Sequence, residues 1–227
     1  MKTQTVSAAL DNITAVIINY RTPDLTERAV RSFRAVYPGV RLLLIDNGSG
    51  DESLDALHDM TRINESRTDI IANAENRHHG PAMDQALHSI DAPLVLFLDS
   101  DCEVLKGGFL EKMVALIEVD RRNYAVGKRI FMNDRGFDVA QESGGHPYIR
   151  PICMLIRRDA YLGLPPFRKH GAPCLENFVA AERSNLALIH FPVEEYVRHE
   201  GRGTAMRHGY GLGLRGRINH LLNKFGL

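Results

Sequence analysis

Residues 93–104 read PLVLFLDSDCEV. After the proline, five apolar residues form a run suited to a buried strand. The run ends in two acids, Asp99 and Asp101, with Ser100 between them. Driving two carboxylates together costs repulsion unless a cation intervenes. Hard oxygen ligands suit Mg²⁺ or Mn²⁺, and Mg²⁺ usually shares its shell with phosphate oxygens. The triplet therefore reads as a metal–diphosphate site. An acid-x-acid triplet alone is a weak signal, and its place at the end of a fourth apolar strand strengthens it.

Outward from this stretch, the first half alternates strand and helix. ITAVIINY (residues 13–20) is apolar and β-branched, a buried strand. In DLTERAVRSFRAVY (24–37), Leu25, Ala29, Val30, Phe33 and Val36 share one helical face. VRLLLIDN (40–47), TDIIAN (68–73) and PLVLFLD (93–99) continue the strands. DESLDALHDMTRI (51–63), GPAMDQALHSI (80–90) and GFLEKMVALIEV (108–119) continue the helices, with acids opening the first and Pro81 tolerated at the start of the second. This order implies an α/β fold whose mostly parallel central sheet is covered by helices on both faces. Ligands of such sheets sit at the carboxyl ends of the strands, where Asp46, Asn76 and Asp99 fall.

From about Tyr124 the rhythm is lost among glycines and prolines. IRPICMLIRRDAY (149–161) reads as a strand and short helix, LENFVAAERSN (175–185) as a helix, and LALIHFPVEEYVRH (186–199) as one final strand ending at His199. Arg157 and Arg158 read as a solvated strand end.

The chain has 227 residues, 44% hydrophobic and 25% charged, enough for one core with at most a small appendage. Net charge is zero, so nothing global favours nucleic acid. Charge is uneven, however: from Arg198 onward there are six Lys/Arg against Glu200 alone. Cys102, Cys153 and Cys174 lack metal-type spacing and read as reduced thiols. With no long apolar span and no signal-peptide pattern, a cytoplasmic protein is expected. The first strand is not followed by G-x-G-x-x-G, and no P-loop occurs, so dinucleotide and P-loop chemistry are poor readings.

The remaining pattern resembles a family 2 glycosyltransferase of the GT-A fold, inverting in its chemistry. The segments that carry the resemblance are AVIINYRTPDLTERAVRSF, LLLIDNGSGDES, NRHHGPAMDQAL, LVLFLDSDCEV, CMLIRRDAYLGL, LENFVAAERSN and FPVEEYVRHEGRGT, in family order over residues 13–204. It implies a nucleotide-sugar-binding half over residues 1–123, an irregular acceptor-binding and catalytic half of the same domain over 124–204, and a basic tail over 205–227. By position, the resemblance places Asn19, Tyr20, Arg21, Asp46, Asn76, Asp84, Asp99 and Ser100 at the donor, with Asp46 accepting from the base. It makes Asp101 the main metal ligand, helped by Asp99 and His199, with Mn²⁺ or Mg²⁺ as cofactor. Arg202, in the EGRGT loop, would pair with the diphosphate.

An inverting transfer needs a base for the acceptor's proton. The family's Glu-Asp motif normally offers its Asp, but here Glu176 is followed by Asn177, and an amide cannot accept that proton. Glu176 is the first candidate; Glu182 or a histidine are others. The expected function is sugar transfer from a nucleotide-diphosphate donor, UDP favoured over GDP or dTDP, to a glycan or lipid-linked acceptor of a surface polysaccharide. Rival readings are a donor-binding partner subunit without turnover, which Asn177 keeps alive, and a nucleotidyltransferase, which lacks its phosphate-gripping loop. In the tail, Leu214, Ile218, Leu221, Leu222 and Phe225 can share a helical face beside Arg215, Arg217 and Lys224. That face suits its own domain, a second copy in a homodimer, or peripheral contact with the inner membrane face.

Overall fold

A computed structural model describes residues 10–168 and 172–200. Ten strands and six α-helices run in the order β1 (Ile13–Asn19), α1 (Pro23–Val36), β2 (Arg41–Asp46), α2 (Ser53–Thr61), β3 (Thr68–Ala72), α3 (His79–Ser89), β4 (Leu94–Leu98), β5 (Cys102–Val104), α4 (Phe109–Glu118), β6 (Asn123–Met132), β7 (Asp138–Val139), β8 (His146–Arg157), α5 (Arg158–Leu162), α6 (Leu175–Arg183), β9 (Ala187–His190) and β10 (Val197–His199) among the described residues. The main sheet has the order β3-β2-β1-β4-β8-β6-β7, with β9 pairing on β6. Strands β1 to β4 are parallel to one another, while β8 runs antiparallel between β4 and β6. The sheet thus crosses from the first half of the chain to the second without a break.

Alternation along the strands builds a core on each face. Ile13, Ala15 and Ile17 of β1 and Leu94, Leu96 and Leu98 of β4 pack with Phe33 of α1, Leu57 of α2 and Met113 of α4. Val16 and Ile18, with Val95 and Phe97, pack instead with Met83 of α3, Tyr161 of α5 and Phe178 of α6. Each fully buried side chain of this kind stabilises the fold by about 1.5–3 kcal/mol.

The second half is more regular than its sequence suggests. NYAVGKRIFM forms the ten-residue strand β6, which the expected loss of rhythm had left out. Its apolar start gives way to half-buried Lys128 and exposed Arg129, so the buried pattern covers only part of the strand. The expected single last strand is also corrected: it is two. β9 ends before Pro192, a turn over Val193–Glu195 follows, and β10 pairs antiparallel with β5 in a separate two-stranded sheet. Proline has no N–H to continue the ladder. Arg157 and Arg158 are not a solvated strand end. Arg157 donates to the Ile117 carbonyl at 2.7 Å and Arg158 to the Leu87 carbonyl at 2.7 Å, at the C-terminal ends of α4 and α3. There a cation satisfies a helix's last carbonyls.

The turn after β2 depends on Gly48. Its φ is +71°, and an added Cβ would lie 2.2 Å from the Glu75 carbonyl carbon. Gly48→Ala should therefore lower stability by about 2 kcal/mol or more in urea denaturation. A change near zero would show that the two loops do not touch there.

Candidate functional site

The carboxyl ends of β1, β2 and β4 bring together most of the polar residues singled out from the sequence. At the end of β1, Asn19 is fully buried; its amide donates to Asp46 Oδ1 at 2.9 Å and accepts from the Thr26 hydroxyl at 2.9 Å. Asp46 also accepts from the Ser49 backbone N–H at 3.1 Å and from the Ser49 hydroxyl at 2.5 Å. Ser49 in turn accepts from the Arg21 backbone N–H, and its carbonyl accepts from Arg21 Nε, each at 2.9 Å. Asn19 and Asp46 are thus engaged by the chain itself and brace the loops after β1 and β2. Tyr20 is half-buried and Arg21 exposed beside it, with the guanidinium 5.3 Å from the Tyr20 ring centre.

A second clamp joins β2 and β3 to the start of α3. Asn47 donates to Asn76 Oδ1 at 3.2 Å and accepts from Asn73 at 3.1 Å and from the Arg77 N–H at 3.2 Å. Asn76 therefore shapes the turn into α3. Asp84 lies further along that helix, where it accepts from the Tyr161 hydroxyl at 2.6 Å and sits 3.5 Å from His88. It ties α3 to α5.

The candidate metal centre forms where β4 ends. Asp99 opens a tight turn: its N–H donates to the Ile152 carbonyl and its own carbonyl accepts from the Cys102 N–H. β5 begins at once, and its register sets Cys102 opposite His199 of β10. This pairing returns a residue nearly a hundred positions away to the triplet. His199 Nε2 lies 3.2 Å from Asp101 Oδ1, and ligand atoms of Asp99, Asp101 and His199 all lie within 4.8 Å of one another. Ser100 is buried between the two acids.

The electrostatics of this trio favour added positive charge, whether as a proton or as another cation. Burial raises the Asp99 carboxyl above its usual range, and the Asp101 charge adds to the rise while His79 and His199 oppose it. The hydrogen bond to Asp101 raises His199, against burial. Both shifts favour added positive charge in the metal-free chain. Two carboxylates and an imidazole are a donor set that fits Mn²⁺, with carboxylates alone serving Mg²⁺ equally.

Glu176 is exposed in the first turn of α6, whereas Asn177 beside it is fully buried. Asn177 accepts from the Tyr124 hydroxyl at 2.7 Å and donates to the Pro165 carbonyl at 2.7 Å. An aspartate here would keep the first bond, lose the second and face a carbonyl with its charge. Glu182 instead contacts His146 at 3.3 Å, and His146 contacts Asp134 at 3.1 Å, at the end of the β6–β8 pair. Arg202 and the tail over 205–227 lie outside the described residues. Cys102, Cys153 and Cys174 are free and buried. Among the described residues no helix is long and apolar enough to cross a membrane.

His78 and His79 read from the sequence as surface residues rather than ligands, yet His79 Nε2 lies 3.6 Å from Asp99 Oδ1. Its signal was only position, immediately before the third helix. The sequence reading noted Asn177 as a missing acid and gave no sign of its core role. Asn177→Asp should cost about 3 kcal/mol at neutral pH, read by urea denaturation. Burial would raise that carboxyl's pKa, so the penalty should shrink as pH falls and the acid regains a proton to donate. An unchanged midpoint would remove the structural account of this amide.

Three solved structures illustrate the shared fold. A mannosyltransferase, PcManGT from Pyrobaculum calidifontis, in complex with GDP-Man and Mn²⁺, matches with TM-score 0.64 at 15% identity, over 80% of this chain and 55% of that one. GalNAc-T7 with UDP, GalNAc and Mn²⁺ matches with TM-score 0.67 at 15% identity, over 82% and 43%. TarS 1–349 from S. aureus matches with TM-score 0.56 at 15% identity, over 82% and 59%. This chain thus spans roughly half the length of these proteins. No curated protein sequence matches it. The sequence model for glycosyl transferase family 2 matches residues 14–177, most of the chain, and the chain belongs to that family, with the GT-A fold.

Proposed function

We propose that this chain is a metal-dependent inverting glycosyltransferase that takes a sugar from a nucleotide-diphosphate donor, with UDP-sugars favoured. The observation that carries the reading is the Asp99–Asp101–His199 trio, whose ligand atoms lie within 4.8 Å of one another at the strand ends. Similar structures add support: PcManGT is in complex with GDP-Man and Mn²⁺, and GalNAc-T7 with UDP, GalNAc and Mn²⁺.

Asp99, Asp101 and His199 would hold Mn²⁺ or Mg²⁺. When bound, the ion supplies positive charge against the diphosphate that leaves. Tyr20 and Arg21 would flank the nucleoside, on a loop braced by Asn19, Asp46 and Ser49. The acceptor hydroxyl attacks the anomeric carbon from the face opposite the diphosphate. A new carbon–oxygen bond forms there as the bond to the diphosphate breaks, and the electron pair leaves with the nucleoside diphosphate. Glu176 takes the hydroxyl proton. Asn177 faces the core, so the exposed carboxylate in that turn is Glu176. The acceptor belongs to the glycan or lipid-linked class of a surface polysaccharide, in a cytoplasmic setting. For residues 205–227, docking on the chain's own domain, on a second copy, or on a membrane face are the candidate roles.

Thermal shift with UDP, GDP, CDP and dTDP, each with and without Mn²⁺, tests the donor site. A nucleotide at a hundred times its Kd should add about 2.7 kcal/mol, and one should do so only with Mn²⁺. Asp101→Ala should abolish that shift while the free protein melts as before. Full Mn²⁺-dependent affinity in this variant would sink the metal assignment.

Glu176→Gln should retain the nucleotide shift and lose about 10²- to 10⁴-fold in transfer rate. Retained turnover would move the base elsewhere. Nucleotide binding without turnover in the native chain would favour a partner subunit.

A further inference from the structure

We infer that His79 is a positioning residue for the candidate metal centre, holding the Asp99 carboxylate toward Asp101 and His199. The inference rests on the reading of that trio as a metal site. Among the described residues, His79 is the group within ion-pair distance of the Asp99 carboxylate, its Nε2 lying 3.6 Å from Oδ1. Asp101 has its own imidazole, His199, at 3.2 Å. Among the described residues an imidazole therefore lies beside each acid of the triplet, and the two histidines arrive from different elements.

The backbone before His79 is shaped to deliver it. His78 has φ +67° and ψ 167°, a region nearly confined to glycine, and such a residue costs on the order of 1–3 kcal/mol. Three hydrogen bonds hold it there. Its N–H donates to Asn76 Oδ1 at 2.8 Å, and its carbonyl accepts from Asn47 at 3.3 Å and from the Ala82 N–H at 3.2 Å. The next residue is the first of α3. A basic side chain at a helix N-terminus gains nothing from the helix dipole, which favours acids there. What His79 gains is Asp99. Neither side chain is sealed away: His79 is 29% exposed and Asp99 23%.

The contact addresses a weakness of the triplet. Among the described residues, the hydrogen bonds at Asp99 reach its backbone, through the Ile152 carbonyl and the Cys102 N–H. Its carboxylate is repelled by Asp101 two residues on. Without His79 that carboxylate would turn toward solvent and away from a shared ligand. Groups that orient a metal ligand typically change metal affinity about 10- to 100-fold when removed.

Mn²⁺ binding without nucleotide, followed by the electron paramagnetic resonance signal of free Mn²⁺, tests this in the native chain and in Asp101→Ala, His79→Ala and His79→Gln. Asp101→Ala should lose binding. His79→Ala should weaken it about tenfold or more. His79→Gln, whose amide can present an N–H to the same carboxylate, should recover most of that loss, while both His79 variants melt like the native chain without metal. Equal affinity in His79→Ala and the native chain overturns the inference, as does His79→Gln binding no better than His79→Ala. If the native chain binds no Mn²⁺, or Asp101→Ala binds it fully, the trio itself fails and His79 with it.

Discussion

The repulsion between Asp99 and Asp101 organises one end of this molecule. Burial raises the proton affinity of the Asp99 carboxylate, and the charge of Asp101 two residues on adds to the rise. The chain does not relieve the strain by moving them apart. It holds them in a tight turn, fastens that turn to Ile152 of the neighbouring strand, and sets an imidazole beside each acid. The arrangement is short of positive charge by design of its backbone. Added positive charge would complete it, and a divalent cation is one species that supplies it.

The rest of the fold explains how distant residues reach this turn. Four parallel strands with apolar side chains on both faces give a sheet that cannot shift without exposing a core. Insertion of β8 against β4 carries the sheet into the second half and supplies the Ile152 carbonyl. The break at Pro192 then frees the chain to leave the main sheet and pair with β5, so that His199 arrives opposite Cys102. Had the last segment continued as one strand beside β6, the histidine would lie elsewhere. The arginines behind α3 and α4 fasten two of the covering helices by their final turns.

How far the sequence foretold this depends on what kind of signal each part leaves. Strands β1 to β4 and helices α1 to α4 were legible because apolar period and turn chemistry agree along them, whereas the three-residue β5 left no such pattern. The triplet was legible because two acids after an apolar strand conflict with local preference. β6 was not, because the charged Lys128 and Arg129 interrupt the pattern, and its burial is set by β8 and β9 beside it. The fold-back of β10 is a pairing between segments far apart in the chain, and periodicity carries no record of partners. Asn177 illustrates the same limit. Its neighbours Tyr124 and Pro165 are distant in sequence, so an amide set in the core looked like a missing acid.

Asn19 and Asp46 sharpen the contrast between the two kinds of polar group at the strand ends. Both were assigned to the donor by position, and both are nearly inaccessible and joined to Ser49 and Thr26 by short hydrogen bonds. A buried network satisfied in this way stabilises a loop geometry, since breaking it would leave a polar group without a partner. Asp99, by contrast, keeps part of its surface and has its carboxylate engaged by a contact longer than a hydrogen bond. The first network makes the loops rigid, and the second leaves charge to be neutralised from outside. A cation, or a ligand that brings one, finds its complement in the second, while the first decides where the loop residues around it stand.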